Sequence, residues 1–274
     1  MTSDAGIAAP SYHYKKRRRL LPASSSALVA LAMSFAVLIM LGTILLMLPV
    51  ATIGPGSSPF ITALFTATSA TCVTGLIVVN TASYWSAFGQ AVLALLMFLG
   101  GLGIMTAGLA ILAIVGRRIT LNQRLLVRET LGGASLGSAV RLGRYVVLFA
   151  VGAQLIGFIL LCTRLMFEYP PAQALWQSLF HSVSAFNNAG FTIFPGSNSL
   201  SAFQSDPMVL WAIGVMIIIG AMSFPVLNEL ARRHGLRRWT LDTRLVIIGT
   251  LGLWAIGGIA IVVFELGNDA TFGR

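Results

Sequence analysis

Five long apolar stretches divide the chain, at residues 27–48, 85–115, 145–167, 207–230 and 245–266. A helix needs roughly 20 apolar residues to cross about 30 Å of hydrocarbon, and each stretch is long enough. Two shorter stretches, residues 59–70 and 171–185, begin at a proline and carry hydroxyl side chains. At about 1.5 Å per residue, each reaches only about halfway through a bilayer. The pattern predicts an all-α membrane protein with five transmembrane helices and two re-entrant half-helices.

The two short stretches lead into segments that match without a gap, at residues 65–76 and 180–191. Identical residues recur 115 positions apart: Phe65 and Phe180, Ser69 and Ser184, Ala70 and Ala185, Gly75 and Gly190. The following helix repeats too, since residues 99–103 resemble residues 219–223 at an offset of 120. For the glycines of 99–103, close packing of the backbone is favoured over a gating hinge. We interpret each copy as helix, pore helix, filter loop and helix.

This repeat defines the expected domain organisation. Its parts are a basic cytoplasmic N-terminal segment (1–26), a first pore repeat (27–116), a cytoplasmic connector (117–143), a second pore repeat (144–231), and a cytoplasmic loop with the first helix of an incomplete third repeat (232–274).

Composition places most of the chain in lipid. Hydrophobic residues make up 57% and charged residues 9%, whereas a soluble domain carries about 25% charged residues. The net charge is +10, and sixteen of the 18 Lys and Arg residues flank the apolar stretches on one side. The positive-inside rule makes that side cytoplasmic, with the last residues extracytoplasmic, in the plasma (cell inner) membrane. The basic stretches thus favour contact with anionic membrane lipid, and nucleic acid is not an expected partner.

The repeated segments suit the passage of a cation. Backbone inside a bilayer must be hydrogen-bonded or line a cavity, so a re-entrant loop implies a polar interior. Each short helix directs its C-terminal end, with about −0.5 charge, toward the membrane centre. Carbonyl oxygens of the loop can then replace the hydration shell of a cation. Gly75 and Gly190 allow backbone angles that other residues resist. Paired carboxylates, a catalytic triad, zinc-ligand spacing and a phosphate loop are absent from the sequence, so we expect neither an enzyme nor a cofactor.

Three motifs occur in order: Thr-Ser-Ala-Thr-Cys-Val-Thr-Gly-Leu at 68–76, Gly-Gly-Leu-Gly-Ile at 100–104, and Ser-Ala-Phe-Asn-Asn-Ala-Gly-Phe at 184–191. The first looks like a potassium-channel filter, and the set resembles the Trk/Ktr/HKT superfamily of potassium transporters, nearest to the bacterial TrkH/KtrB membrane subunits. The resemblance implies uptake of K⁺ or Na⁺ through four repeats around one pore. The selectivity filter would then use the backbone carbonyls of Thr71, Cys72, Val73, Thr74 and Gly75, and those of Phe186, Asn187, Asn188, Ala189 and Gly190. K⁺ is the implied transported ion, and the implied partners are a second copy in a homodimer and a cytoplasmic nucleotide-binding regulatory subunit of the TrkA/KtrA type.

Two departures from the family pattern leave alternatives open. Asn80 stands where many members carry an acidic residue after the first filter. Only two of the four filter segments occur, so we expect a fragment, one half of a split protein whose other repeats lie on another chain, or a truncated product. The alternatives to K⁺ uptake are therefore an inactive fragment or membrane scaffold, and a Na⁺-selective transporter of the same family.

Several single residues have a plain structural interpretation beside a functional one. His181 lacks a second ligand nearby in sequence, so packing is favoured over metal or proton binding. For Asn187 and Asn188, bracing of the loop is favoured over contact with the ion. Glu168 and Asp206 could attract cations or be solvated. Cys162 is a packing residue, Ser58 is a predicted helix N-cap, and Tyr84 and Trp85 are predicted at the membrane interface.

Overall fold

The computed structural model describes residues 23–115, 136–196, 199–222, 224–231, 239 and 241–266. These residues form helices, turns and loops without a strand, which confirms the all-α class. The α-helices in chain order are α1 (Ala23–Leu46), α2 (Phe60–Thr71), α3 (Thr81–Tyr84), α4 (Ala87–Val115), α5 (Leu136–Leu165), α6 (Pro171–Phe186), α7 (Pro207–Ala221), α8 (Phe224–Ala231) and α9 (Leu241–Glu265). Short 3₁₀ turns occupy Pro49–Ala51 and Leu200–Phe203.

Helix α2 packs against α1 and α4 to make the first packing unit. Its buried face carries small side chains, among them Ala63, Ala67 and Ala70. Small residues let helix backbones approach closely, which is how apolar helices associate when lipid surrounds them. The larger buried residues of the same core include Leu93 and Met97 of α4. One face of the short helix is therefore covered by the two long helices that flank it in sequence.

Helix α6 packs in the same way against α5 and α7. Its core includes Leu161, Phe186, Val209 and Met216. These three helices make the second packing unit. Helix α4 of the first unit contacts α5 and α6 as well as α1 and α2, so it joins the two units. The second short helix is thus also held between its neighbours in sequence.

The long helices expose apolar side chains outward. In the residues that the structure describes, two segments are long and apolar enough to cross a membrane, Arg144–Leu165 and Thr243–Glu265. Shorter apolar segments are Ala32–Leu46, Phe60–Thr71, Ala87–Gly103 and Pro207–Ala221. The apolar part of α9 is 0% buried. The predicted number of five crossings goes beyond these findings and stays a prediction.

The predicted interruption near Pro225 is present. Helix α7 ends at Ala221, and α8 begins at Phe224 with Pro225 as its second residue. Proline is tolerated in a first turn because the amide hydrogen there lacks an intrahelical partner. The break therefore follows from the sequence.

One local prediction was wrong. Ser58 does not cap α2, because Pro59 occupies the N-cap position without a side-chain hydrogen bond. The Ser58 hydroxyl instead accepts a hydrogen bond from the Tyr84 hydroxyl at 3.1 Å. Trp85 is fully buried in the core around α2. Its ring is edge-on to Tyr84, and its backbone pairs with Thr52. Trp85 is therefore a core residue, and the position of Tyr84 and Trp85 at the membrane interface stays a prediction.

Candidate functional site

Helix α2 ends in a turn with a backbone unusual for L-amino acids. The amide of Thr74 folds back to donate to the carbonyl of Ser69 at 3.0 Å. Val73 has a φ of 50° and Gly75 a φ of 72°. A β-branched residue such as Val73 rarely adopts positive φ, so the surrounding structure must hold it there.

Helix α6 ends in the same kind of turn. The amide of Ala189 donates to the carbonyl of Ser184 at 2.8 Å. Asn188 has a φ of 58° and Gly190 a φ of 76°. Each of these residues lies 115 positions after its counterpart in the first turn. The repeated sequence therefore adopts a repeated backbone.

The two turns meet at their glycines. A Cβ added at Gly75 would lie 2.6 Å from the carbonyl oxygen of Ala189, and one added at Gly190 would lie 3.5 Å from the Cα of Gly75. Real Cβ atoms do not approach other atoms as closely as 2.6 Å. Glycine is thus required at position 75 by space as well as by φ. The segments 71–75 and 186–190, far apart in sequence, are brought together here.

Glycines of the long helices pack on the ends of the short ones. Gly100 of α4 lies against the carbonyl of Thr71, the last residue of α2. Gly220 of α7 lies against the carbonyl of Phe186, the last residue of α6. In both places a side chain would collide with backbone. Close packing was the favoured interpretation of the glycines in 99–103, and for Gly100 the structure confirms it.

The two asparagines of the second turn bond to the backbone of α6. Asn187 is buried, and its Nδ2 donates to the carbonyl of Val183 at 2.8 Å while its side chain lies against Gly101 of α4. Asn188 donates from Nδ2 to the carbonyl of Phe186 at 3.3 Å. Their amides thus brace the turn.

The exposure of the predicted filter residues differs along each segment. Thr71, Phe186, Asn187 and Ala189 are buried, Val73 and Gly75 are half-buried, and Cys72, Thr74, Asn188 and Gly190 are exposed. The contact between the segments runs through Gly75, Ala189 and Gly190. The buried residues anchor each turn, and the exposed ones leave backbone accessible beside this contact.

The electrostatics of this place favour cations. Two helices end here, and each C-terminus carries roughly −0.5 charge on its last carbonyl groups. Within the described residues, no group of three His, Cys, Asp or Glu side chains is arranged to hold a metal ion. A cation at these turns would therefore meet mainly neutral oxygens, which replace the hydration of a monovalent ion without binding it irreversibly.

The two acidic residues near the second unit, Glu168 and Asp206, both form ion pairs. Arg164 of α5 pairs through Nε with Asp206 at 2.6 Å and through Nη1 with Glu168 at 3.5 Å. The other oxygen of Asp206 accepts from the amides of Met208 and Val209, so it caps α7. Asp206 is therefore a structural residue linking α5 to α7. Neither the cap nor the pairing with Arg164 was predicted from the sequence. The cap had a signal, because Asp followed by Pro before an apolar run is typical of a helix start.

A partly buried polar connection between the units was also missed. Trp176 of α6 donates from Nε1 to Oε1 of Gln90 on α4 at 2.7 Å. Gln90 in turn donates from Nε2 to the carbonyl of Trp85 at 3.0 Å. The available signal was the single side-chain amide of a largely apolar helix, since a buried polar group usually has a hydrogen-bond partner.

Comparison with known proteins gives one family and several relatives. The TrkH family, described as a cation transport protein, matches residues 6–254. The chain is 40% identical over 244 residues to the Ktr system potassium uptake protein B of Bacillus subtilis (strain 168), covering 89% of this chain and 54% of that protein. It is 37% identical over 243 residues to the protein of the same name from Vibrio alginolyticus, covering 88% and 52%.

A third relative is the potassium/sodium uptake protein NtpJ of Enterococcus hirae, 34% identical over 255 residues, covering 93% of this chain and 55% of that protein. The chain thus spans about half the length of the curated relatives it matches. The family match extends over most of the chain, including both repeated turns. The chain therefore belongs to the TrkH family of cation transport proteins, and it is a membrane protein.

Proposed function

We propose that this chain forms part of a membrane pathway for the uptake of K⁺. The observation that carries the proposal is the contact of two glycine turns at Gly75 and Gly190, each at the C-terminal end of a short helix. The names of the Bacillus and Vibrio relatives state potassium uptake for those proteins.

In this proposal, residues 27–116 and 144–231 are two pore repeats, and α2 and α6 are their pore helices. The carbonyls of residues 72–75 and 187–190 line two walls of the filter. Those of Thr71 and Phe186, which the resemblance also placed there, lie against Gly100 and Gly220. An entering K⁺ exchanges water for these oxygens, and the helix ends lower its energy in the membrane. The repeated positive φ angles and the paired contacts of Gly100 and Gly220 support this arrangement.

The proposed orientation has a cytoplasmic N-terminus, an extracytoplasmic end after α9 and a location in the cell inner membrane. It rests on the arginine-rich stretches of the sequence and the positive-inside rule. The stretches at residues 15–19, 117–128 and 232–238 lie outside the described residues.

Na⁺ transport is a second candidate, because the Enterococcus relative is named for potassium and sodium. A filter of neutral oxygens distinguishes the two ions by the number and placement of its carbonyls. Uptake of each ion, measured in competition, decides between the candidates.

The proposed partners are a cytoplasmic nucleotide-binding regulatory subunit, a second copy of the protein, and further repeats that complete the pore. The relatives' name, Ktr system, supports a multi-component assembly. Purification of the tagged protein from its own cells, followed by identification of bound chains, tests these partners.

The decisive experiment is Rb⁺ uptake by the complete gene product in a host without K⁺ transporters. We expect uptake that K⁺ competes with, and growth at low K⁺. Gly75→Ser should remove the preference for K⁺, because a side chain there displaces the Ala189 carbonyl. Gly214→Ala, at a helical glycine with open space around it, is the control. Normal membrane levels without uptake or rescue would contradict the proposal.

A further inference from the structure

The histidine of α6 is buried and uses both of its ring nitrogens. His181 is 2% exposed. Its Nδ1 lies 2.7 Å from the carbonyl of Gln177, and the amide of Ile193 donates to its Nε2 at 3.2 Å. Because Nε2 accepts and the carbonyl of Gln177 can only accept, the proton lies on Nδ1 and the ring is neutral.

The segment after the second turn is pinned to α6 around this ring. The His181 and Phe194 rings stack with centroids 3.8 Å apart and planes 12° apart, and Phe194 packs on Phe203. Ser184 donates to the carbonyl of Phe191 at 2.8 Å. Residues 191–194 are therefore fixed by hydrogen bonds and ring contacts directly beyond Gly190.

The first repeat lacks an equivalent attachment. The position matching His181 is Thr66, and its hydroxyl donates to the carbonyl of Thr62 within α2. In the described part of the chain, no hydrogen bond joins residues 76–79 to α2. Leu76 is 61% exposed, whereas its counterpart Phe191 is 1% exposed. The two turns share a backbone but differ in how their outer ends are held.

We propose that His181 is a positioning residue that sets ion selectivity by fixing the chain beyond Gly190, a role that rests on the proposed function of the turns. Ile193 lies three residues past Gly190, so its bond to the ring limits how far the carbonyls of 186–190 can shift. A filter distinguishes ions by the placement of those carbonyls. The ring acts through the backbone and touches no ion, because both nitrogens are occupied.

Two amide substitutions separate this role from simple packing. Glutamine places its amide near the position of Nε2, so His181→Gln can still accept from Ile193. Asparagine reaches only the position of Nδ1, so His181→Asn leaves the Ile193 amide buried without a partner. His181→Phe keeps the ring stack and removes both hydrogen bonds. Thr66→Val changes the matching position of the first repeat and serves as the control.

The first measurement is the ratio of Rb⁺ to Na⁺ uptake by the complete protein in the transporter-deficient host. We expect the ratio for His181→Gln and Thr66→Val to stay within about twofold of the parent. For His181→Asn and His181→Phe we expect the ratio to fall about tenfold, because an unsatisfied buried amide destabilises the attachment and lets the chain beyond Gly190 move. An unchanged ratio in His181→Asn and His181→Phe would overturn the role in selectivity.

The second measurement is hydrogen exchange of residues 191–194 in the purified protein, which does not depend on transport. We expect slow exchange at the Ile193 amide in the parent and in His181→Gln, and at least tenfold faster exchange in His181→Asn and His181→Phe. Fast exchange in the parent would overturn the attachment itself. If the parent protein moves no Rb⁺, the proposed function fails, and exchange still decides whether His181 holds this segment.

Discussion

At the scale of single residues, the two turns depend on backbone angles that most side chains resist. Four residues in them have positive φ, and they form two pairs by position: Val73 with Asn188, and Gly75 with Gly190. At Gly75 a second constraint is added by the nearby carbonyl of Ala189. A residue held in a strained conformation needs its surroundings to enforce it. The pairing of strain across the repeat therefore points to a shared role of the turns.

The two constraints on Gly75 can be separated by comparison with Gly196. Gly196 has nearly the same φ, +73°, with nothing within 4 Å of an added Cβ, whereas Gly75 faces a carbonyl at 2.6 Å. Both Gly75→Ala and Gly196→Ala should cost about 1–2 kcal/mol in backbone strain. We expect only Gly75→Ala to reduce Rb⁺ uptake, by at least about tenfold, because only it displaces the other turn. Uptake is normalised to protein in the membrane, and equal losses in the two variants would contradict a special role for the contact.

At the scale of helices, the long helices support the short ones through glycines. Gly100 and Gly220 lie against the terminal carbonyls of α2 and α6, so the direction of each turn is set by the neighbouring helix. The sequence predicted both short helices and the break at Pro225, because prolines and apolar runs act locally. It could not predict the burial of Trp85 or the hydrogen bond from the Tyr84 hydroxyl to Ser58, because those contacts depend on how loops fold over the helices.

Substitution of Gly220 tests this support. Gly220→Ala places a methyl group against the Phe186 carbonyl, so α7 must move away from α6. Overpacking of this kind costs about 1–3 kcal/mol. Gly214→Ala, in open space on the same helix, should be neutral or slightly stabilising, since alanine favours helix over glycine by up to about 1 kcal/mol. Apparent melting temperatures in detergent measure the difference, and a Gly220→Ala protein as stable as Gly214→Ala would contradict the packing argument.

The ion pair between α5 and α7 gives a second test at this scale. Asp206 both caps α7 and pairs with Arg164, and its side chain is 13% exposed. Asp206→Ala should cost about 1–2 kcal/mol, chiefly from the lost cap. Glu168→Ala should lower the free energy of unfolding by less than about 1 kcal/mol, because the Glu168 side chain is 40% exposed.

The same melting measurement compares these two variants. Asp206→Asn keeps an oxygen for the cap and should recover part of the loss. If Asp206 instead attracts cations to the pathway, Asp206→Asn will leave stability unchanged and raise the KM for Rb⁺ at low ionic strength.

At the scale of the whole molecule, the two units interlock more closely than a sequence repeat requires. The core around α2 includes Phe180 and Phe191 of the second unit, and Trp176 bonds to Gln90 across the boundary. The alignment of the repeats predicted which residues correspond, and Gly75 and Gly190 do meet. It could not predict the cross-unit contacts, because they join residues that are not equivalent in the repeat. The role of His181 could not be predicted for the same reason, because nothing in the sequence marks Ile193 as its hydrogen-bond partner.

The two cysteines offer a test of the pathway as a whole. Cys72 is exposed at the start of the first turn, and Cys162 is buried in α5. Ag⁺ is a soft monovalent cation that binds thiolates, so it can travel with K⁺ and react wherever a thiol lines the path. We expect Ag⁺ to inhibit Rb⁺ uptake by the parent protein and by Cys162→Ser, and to leave Cys72→Ser active. External K⁺ should slow the inhibition, because both ions compete for the same passage. Equal inhibition of Cys72→Ser and the parent would place the pathway away from this turn, whereas selective resistance would place Cys72 on the route of the ion.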